Sequence, residues 1–148
     1  MPKVDLDSIP QQNRTGYPPP FDKDVAGRWY RRLGPASGLI DFGVSHVRLE
    51  PGAWSSQRHW HNGEDEFLVM LEGEAVLVED DGETVLRPGD CAAWPKGNTN
   101  GHHLKNDSNR DCLFVVISGG ENMGGGYSDI DLMFTADNRY VHKDGSPY

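Results

Sequence analysis

The chain has 148 residues and a net charge of -9, with 23 acidic residues against 14 Lys and Arg. That length suits one domain with one core, and the charge excludes the broad basic face that marks a nucleic-acid binder. No run approaches the ~18 consecutive apolar residues of a membrane-spanning helix, and the opening Met-Pro-Lys-Val-Asp-Leu-Asp has no apolar signal region, so a cytoplasmic protein without nucleic-acid or membrane partners is expected.

In chain order, residues 1–20 show no periodicity and end in Tyr17-Pro18-Pro19-Pro20, which reads as an extended N-terminal arm, with Phe21, Trp29 and Tyr30 as anchors. The rest, 21–148, reads as a single domain of short apolar runs broken by Gly and Pro, the pattern of an all-β chain. Arg28–Leu33 predicts a first strand stopped by Gly34-Pro35, and strands over Leu39–Phe42 and Val44–Leu49 follow. Gln57–His61 predicts another, whose inward set by alternation is Ser55, Gln57, His59 and His61 and whose outward set is Trp54, Ser56, Arg58 and Trp60. Asn62-Gly63 signals a reversal into Glu66–Leu71, with Glu64 and Asp65 as solvated turn residues. Glu74–Val78 and Glu83–Leu86 flank the hairpin signal Asp81-Gly82. Cys91–Trp94, a strand beginning at His102, and Leu113–Ile117 complete the set, and the extension 119–148 reads as loop around Gly124-Gly125-Gly126. The two cysteines, Cys91 and Cys112, lack C-x-x-C spacing and read as buried, inert thiols.

The chemistry concentrates at Arg58-His59-Trp60-His61-Asn62-Gly63-Glu64-Asp65-Glu66. Side chains two apart on a strand share a face, so His59 and His61 aim into one space, and a returning strand brings Glu66 beside them. Two imidazoles and a carboxylate are ligands for a divalent ion. A Glu heading an apolar strand is costly to bury alone, which also argues for a cation beside it. A fourth ligand comes from His102 or His103, the choice depending on register.

These residues resemble the cupin superfamily. Gly52-x6-His59-x-His61-x4-Glu66-x6-Gly73 is similar to its first motif, and Gly89-x5-Pro95-x-Gly97-x4-His102-x3-Asn106 to its second, with short insertions before His59 and His102. The likeness spans about 44–118 and implies a double-stranded β-helix, or jelly-roll barrel. It implies one divalent ion per chain (Fe, Mn, Zn or Ni) on His59, His61, Glu66 and His102, since His102 keeps the motif's gap to Asn106 and His103 does not. With its tail, the chain resembles small bacterial one-domain cupins, some of which are labelled sugar-phosphate isomerase-like.

The fold hosts many reactions, so three functions follow as expectations. The first is a metalloenzyme using its ion as a Lewis acid on a small polar metabolite, of isomerase or lyase type. The others are an Fe(II) dioxygenase and a non-catalytic ligand-binding or sensor protein. Gln57, Tyr127, Tyr140 and His142 are the catalytic candidates, with Ser55 beside the ligands and Arg28 or Arg31 for an anionic end. Strands apolar on both faces, Glu66–Leu71 and Leu113–Ile117, predict a homodimer in which Trp54, Arg58 and Trp60 also take part.

Overall fold

The computed structural model describes residues 3–148. Met1 and Pro2, the start of the expected arm, lie outside the described residues. The strands are β1 (Arg28–Arg32), β2 (Phe42–Leu49), β3 (His59–His61), β4 (Glu64–Glu72), β5 (Ala75–Glu79), β6 (Gly82–Leu86), β7 (Cys91–Trp94), β8 (His103–Lys105), β9 (Cys112–Gly120), β10 (Gly125–Tyr127), β11 (Met133–Phe134) and β12 (Tyr140–Val141). A 3-10 turn at Leu6–Ser8 and one helical turn, α1 (Leu33–Ala36), are the helical pieces among the described residues, and neither is long and apolar enough to cross a membrane.

Two sheets face each other. The first runs β1-β2-β9-β4-β7, all pairs antiparallel. The second consists of β12-β11-β10-β3 and β6-β5-β8. His59 and His102 join these two parts, exchanging N–H···O bonds of 3.1 and 2.9 Å across the gap between β3 and β8. The all-β jelly roll expected from the sequence is therefore present. Between the sheets lie Val47, Leu49, Leu68, Met70, Leu77, Leu104 and Phe114, the inward positions of alternating strands. Burying each large side chain contributes about 1.5–3 kcal/mol.

Several local expectations change. Leu39 and Ile40 are not in a strand, and Ile40 is 91% exposed. The partner β9 reaches only to Phe42, through the pair Phe42↔Gly119, so nothing is left for Leu39 to pair with. Residues 55–58 bend rather than extend, which shortens the first ligand strand to β3. Asn62-Gly63 is a corner rather than a hairpin, because β3 pairs with β10 while β4 pairs with β9 and β7. A Cβ on Gly63 would sit 2.2 Å from the carbonyl oxygen of Glu121, so the corner closes only with glycine there. The Gly124-Gly125-Gly126 run is no loop, since Gly125 and Gly126 open β10 between β3 and β11. A Cβ on Gly126 would meet the Trp60 indole at 2.4 Å, so the bare backbone is what admits that ring. Cys112 is buried as expected, but Cys91 is exposed, at the start of the edge strand β7.

The residues before β1 pack onto the barrel. Gln12 and Tyr30 exchange backbone hydrogen bonds of 3.0 and 2.9 Å along the β1 edge. Tyr17 joins Val25, Tyr127 and Leu132 in a second buried cluster, with Phe21, Phe134 and Tyr140 packed against it. The 119–148 segment and the segment before β1 thus share a small core beside the ligand strand.

Candidate metal centre

The corner at Asn62-Gly63 brings Glu66 of β4 under the histidines of β3, and the His59–His102 bridge adds the imidazole ahead of β8. All three histidines direct Nε2 at one carboxylate oxygen, Glu66 Oε2, with His102 at 2.7 Å, His61 at 3.4 Å and His59 at 3.9 Å. His59, His61 and Glu66 present ligand atoms all within 4.8 Å of one another. His102 stands just outside that group, but its ring lies 5.0 Å from that of His59 and is stacked on Trp94 at 3.8 Å. His103 turns away, its Nδ1 donating to the Ser56 carbonyl at 2.9 Å. Of the two alternatives, His102 is the one the fold brings to the cluster. Asn106 serves the framework, donating to the Leu49 carbonyl at 2.9 Å and the Arg110 carbonyl at 2.8 Å.

Neighbouring groups set the ring orientations. His59 Nδ1–H donates to the Gln57 carbonyl at 3.0 Å, with Ser56 Oγ at 3.1 Å, which leaves the Nε2 lone pair facing Glu66. Glu64 Oε2 lies 3.2 Å from His61 Nδ1, close enough for an ion pair but off the N–H direction. Burial lowers His59 to about 3, so it is neutral. Burial also opposes charge on His61, but Glu64 and then Glu66 outweigh it and raise it to about 9. Burial likewise opposes charge on Glu66, and the bonds from His102 and His61 overcome it, holding the carboxyl well below its usual range. Without an ion, His61 is therefore the protonated ring of the β3 pair and His59 the neutral one, with their Nε2 atoms 3.1 Å apart.

The donor set fits a divalent ion. Adjacent ligands each about 2.0–2.1 Å from one ion lie about 2.8–3.4 Å apart, in tetrahedral or octahedral geometry. The 3.1 Å between the two Nε2 atoms falls in that range. Neutral imidazoles with one carboxylate suit Zn, Fe, Mn or Ni.

The centre closes one end of a cavity of about 670 Å³. Its floor is apolar, with Leu68, Leu104, Phe114 and Val116. Arg14, Arg28, Tyr30 and Arg32 line the other end. Ser55 lines the cavity, as does Ser56, which the sequence reading turned outward. Gln57 does not line it. Its amide donates to Asp24 at 2.8 Å and to the Phe21 carbonyl at 3.2 Å, because the bend before β3 breaks the alternation that placed it inward. Arg31 is also absent from the cavity wall, donating to the Ile9 carbonyl at 2.8 Å instead, as alternation along β1 dictates once Arg28 and Arg32 face in. Tyr140 lines the cavity, and burial raises its phenol, so it is a hydrogen-bond donor. Tyr127 is 3% exposed and backs His59, with ring centroids 5.9 Å apart. His142 lies away from the cavity wall, paired with Asp131 at 2.9 Å and stacked on Tyr148 at 4.0 Å.

Sequence reasoning passed over Glu64, Ser56 and Trp94. Glu64 was taken for a solvated turn residue, although the His61-x2-Glu64 spacing across a tight corner is the signal that finds it. Arg58 and Trp60, expected at an interface, have intrachain partners. Arg58 bonds Asp129 at 2.8 and 3.0 Å and Asp80 at 2.5 Å, and the Trp60 ring lies over Gly126.

The sequence profile of the family described as Cupin domain matches residues 45–118. A sugar phosphate isomerase from a cupin superfamily, of Silicibacter pomeroyi, has a crystal structure similar to this one at a TM-score of 0.92. The two are 45% identical, over 99% of this chain and 96% of that one. A putative sugar phosphate isomerase from Acidithiobacillus ferrooxidans has a TM-score of 0.71 at 24% identity, over 83% of this chain and 82% of its own. The polyketide cyclase RemF from Streptomyces resistomycificus has a TM-score of 0.71 at 20% identity, over 88% and 87%. These last two share the fold. A search of curated proteins finds no match.

Proposed function

The chain belongs to the cupin domain family, and from that premise we propose that it is a metal-dependent enzyme of isomerase or lyase type acting on a small, oxygen-rich metabolite. The observation that carries this reading is the convergence of three imidazole Nε2 atoms on Glu66 Oε2 at the closed end of a cavity large enough for such a molecule. Similarity to the Silicibacter pomeroyi sugar phosphate isomerase supports the isomerase class.

His59, His61, Glu66 and His102 would hold one divalent ion, which as a Lewis acid would polarise a substrate carbonyl or hydroxyl. The chain's own residues supply the rest. Gln57 and Ser56 keep the His59 Nε2 lone pair facing inward. Trp94 fixes the His102 ring plane. Tyr140, protonated at neutral pH, donates a hydrogen bond to a substrate oxygen from the wall. The apolar floor excludes water beneath the substrate.

Reconstitution of metal-free protein separately with Fe²⁺, Mn²⁺ and Zn²⁺ tests this, with aldose, keto-acid and hydroxy-acid panels and an oxygen electrode in the cell. Turnover with redox-inert Zn²⁺ and no oxygen uptake is the expected result. Turnover with Fe²⁺ alone, matched by oxygen consumption, would make the protein a dioxygenase. Saturable binding without turnover under any metal would make it a sensor.

The homodimer is part of the same proposal. The outward side of β4 exposes Phe67 and Leu71 at 41% and 46%, a face for a second copy. Light scattering should give about twice the 16.4 kDa chain mass, and the chain mass itself at micromolar concentration would contradict the dimer.

A further inference from the structure

We propose that the open end of the same cavity is a phosphate subsite built by Arg14, Arg28 and Arg32, so that the substrate is a phosphomonoester whose phosphate points away from the histidines. The orientation rests on the metal-enzyme reading, whereas the anion site stands on the arginines themselves.

Charge pairing singles out these three. Of nine arginines, Arg31, Arg48, Arg58, Arg87 and Arg139 lie within ion-pair distance of a carboxylate. Among the described residues the remaining four are Arg14, Arg28, Arg32 and Arg110, and the first three line one cavity. The chain has 23 acidic residues, so carboxylates are not scarce, yet none but Glu66 lines that cavity, and Glu66 is held by the histidines. Like charges brought together without counter-ions are unfavourable, and an incoming anion removes that cost.

The cluster is also built in advance. The Arg28 side chain donates to the Ser55 carbonyl at 2.7 Å and the Arg14 carbonyl at 3.4 Å, and its Nε is buried without a partner. Tyr30, between Arg28 and Arg32 on β1, donates to the same Arg14 carbonyl at 3.1 Å. The Arg28 and Arg32 guanidinium carbons lie 5.4 and 5.9 Å from its ring centroid. The Tyr30 ring thus sits against the Arg28 and Arg32 guanidinium groups, and the Arg14 backbone is anchored beside them through its carbonyl. A single guanidinium satisfies a carboxylate, whereas three suit a dianion with three acceptor oxygens. All three precede residue 45, where the family profile begins, with Arg28 and Arg32 on β1 and Arg14 in the segment packed along its edge.

The test is calorimetric titration of inorganic phosphate, glycerol 3-phosphate and glycerate into metal-loaded protein, and of phosphate into chelator-treated protein. Arg14→Gln and Arg32→Gln leave metal content unchanged, because neither side chain touches the centre. Each should weaken phosphate roughly tenfold, and the pair roughly a hundredfold, while Arg110→Gln changes nothing. Glycerol 3-phosphate should bind well ahead of glycerate, and phosphate should still bind after chelation. Unchanged phosphate affinity in the double variant would overturn the proposal, as would loss of phosphate binding with the metal, or glycerate binding as tightly as glycerol 3-phosphate. The expected phosphate pattern without turnover on any panel would remove the enzyme reading and leave the subsite standing.

Discussion

The two ends of the cavity solve opposite problems. At the histidine end, three imidazoles and one carboxylate are drawn in from solvent and fixed by the sheets, the His59–His102 bridge above all. At the arginine end, Arg14 and Arg32 are exposed cations, Arg14 in a segment that pairs with the sheet edge through one bridge and Arg32 at the end of β1. A buried centre needs ligands whose positions are set before the ion arrives, so it is built on strands. A site for a charged group at the mouth also gains from long-range attraction, so Arg14 and Arg32 need less burial than the metal ligands do.

If the histidine end is a metal centre, removing two ligands should produce the largest effect. His59→Ala with His61→Ala should take metal content from about one ion per chain to near zero. Thermal unfolding should fall with it, since an ion at 100 times its dissociation constant stabilises a fold by about 2.7 kcal/mol. Elemental analysis and calorimetry together check this, and unchanged metal in the double variant would remove the distinction between the two ends.

Acidity should separate the ends next. His61 is raised to about 9 and His59 is lowered to about 3, so between those values an incoming ion displaces the proton on His61 and none from His59. Apparent metal affinity should rise about tenfold per pH unit up to about 9 and then level off. In metal-free protein the raised His61 value stabilises the fold below the ordinary 6.5, and that contribution is lost as pH rises through about 9. Metal-loaded protein should not show that loss. Guanidinium groups as a class do not titrate in this range, so phosphate affinity should follow only phosphate's own ionisation.

A smaller effect should come from Glu64, which touches His61 and faces no substrate. Glu64→Gln keeps the shape and removes the charge 3.2 Å from Nδ1. Metal affinity should fall by about 10-fold, the lower end of such outer-partner changes, and His61 should titrate lower in metal-free protein by NMR.

The same contrast decides what was legible in the sequence. His59, His61 and Glu66 could be read because strand alternation and one corner dictate where they point. His102 needed the gap to Asn106, since register alone left His103 open. Gln57 was misplaced because alternation was extended into residues 55–58, where the chain bends. The glycine strand β10 was hidden because glycine signals a loop unless the Trp60 ring that requires it is known. Tyr17 carries no local signal, because its role comes from packing against residues far along the chain, Tyr127 and Tyr140. Elements whose partners are near in sequence, such as the β5–β6 hairpin, came through nearly intact.

The most direct measurement is an anomalous difference map from crystals of protein loaded with Zn²⁺, collected at the zinc edge. The account predicts one strong peak per chain, about 2.0–2.2 Å from Nε2 of His59, His61 and His102 and from a Glu66 carboxylate oxygen. No peak there, or a peak bound by His103 or by the His142–Asp131 pair instead, would contradict it.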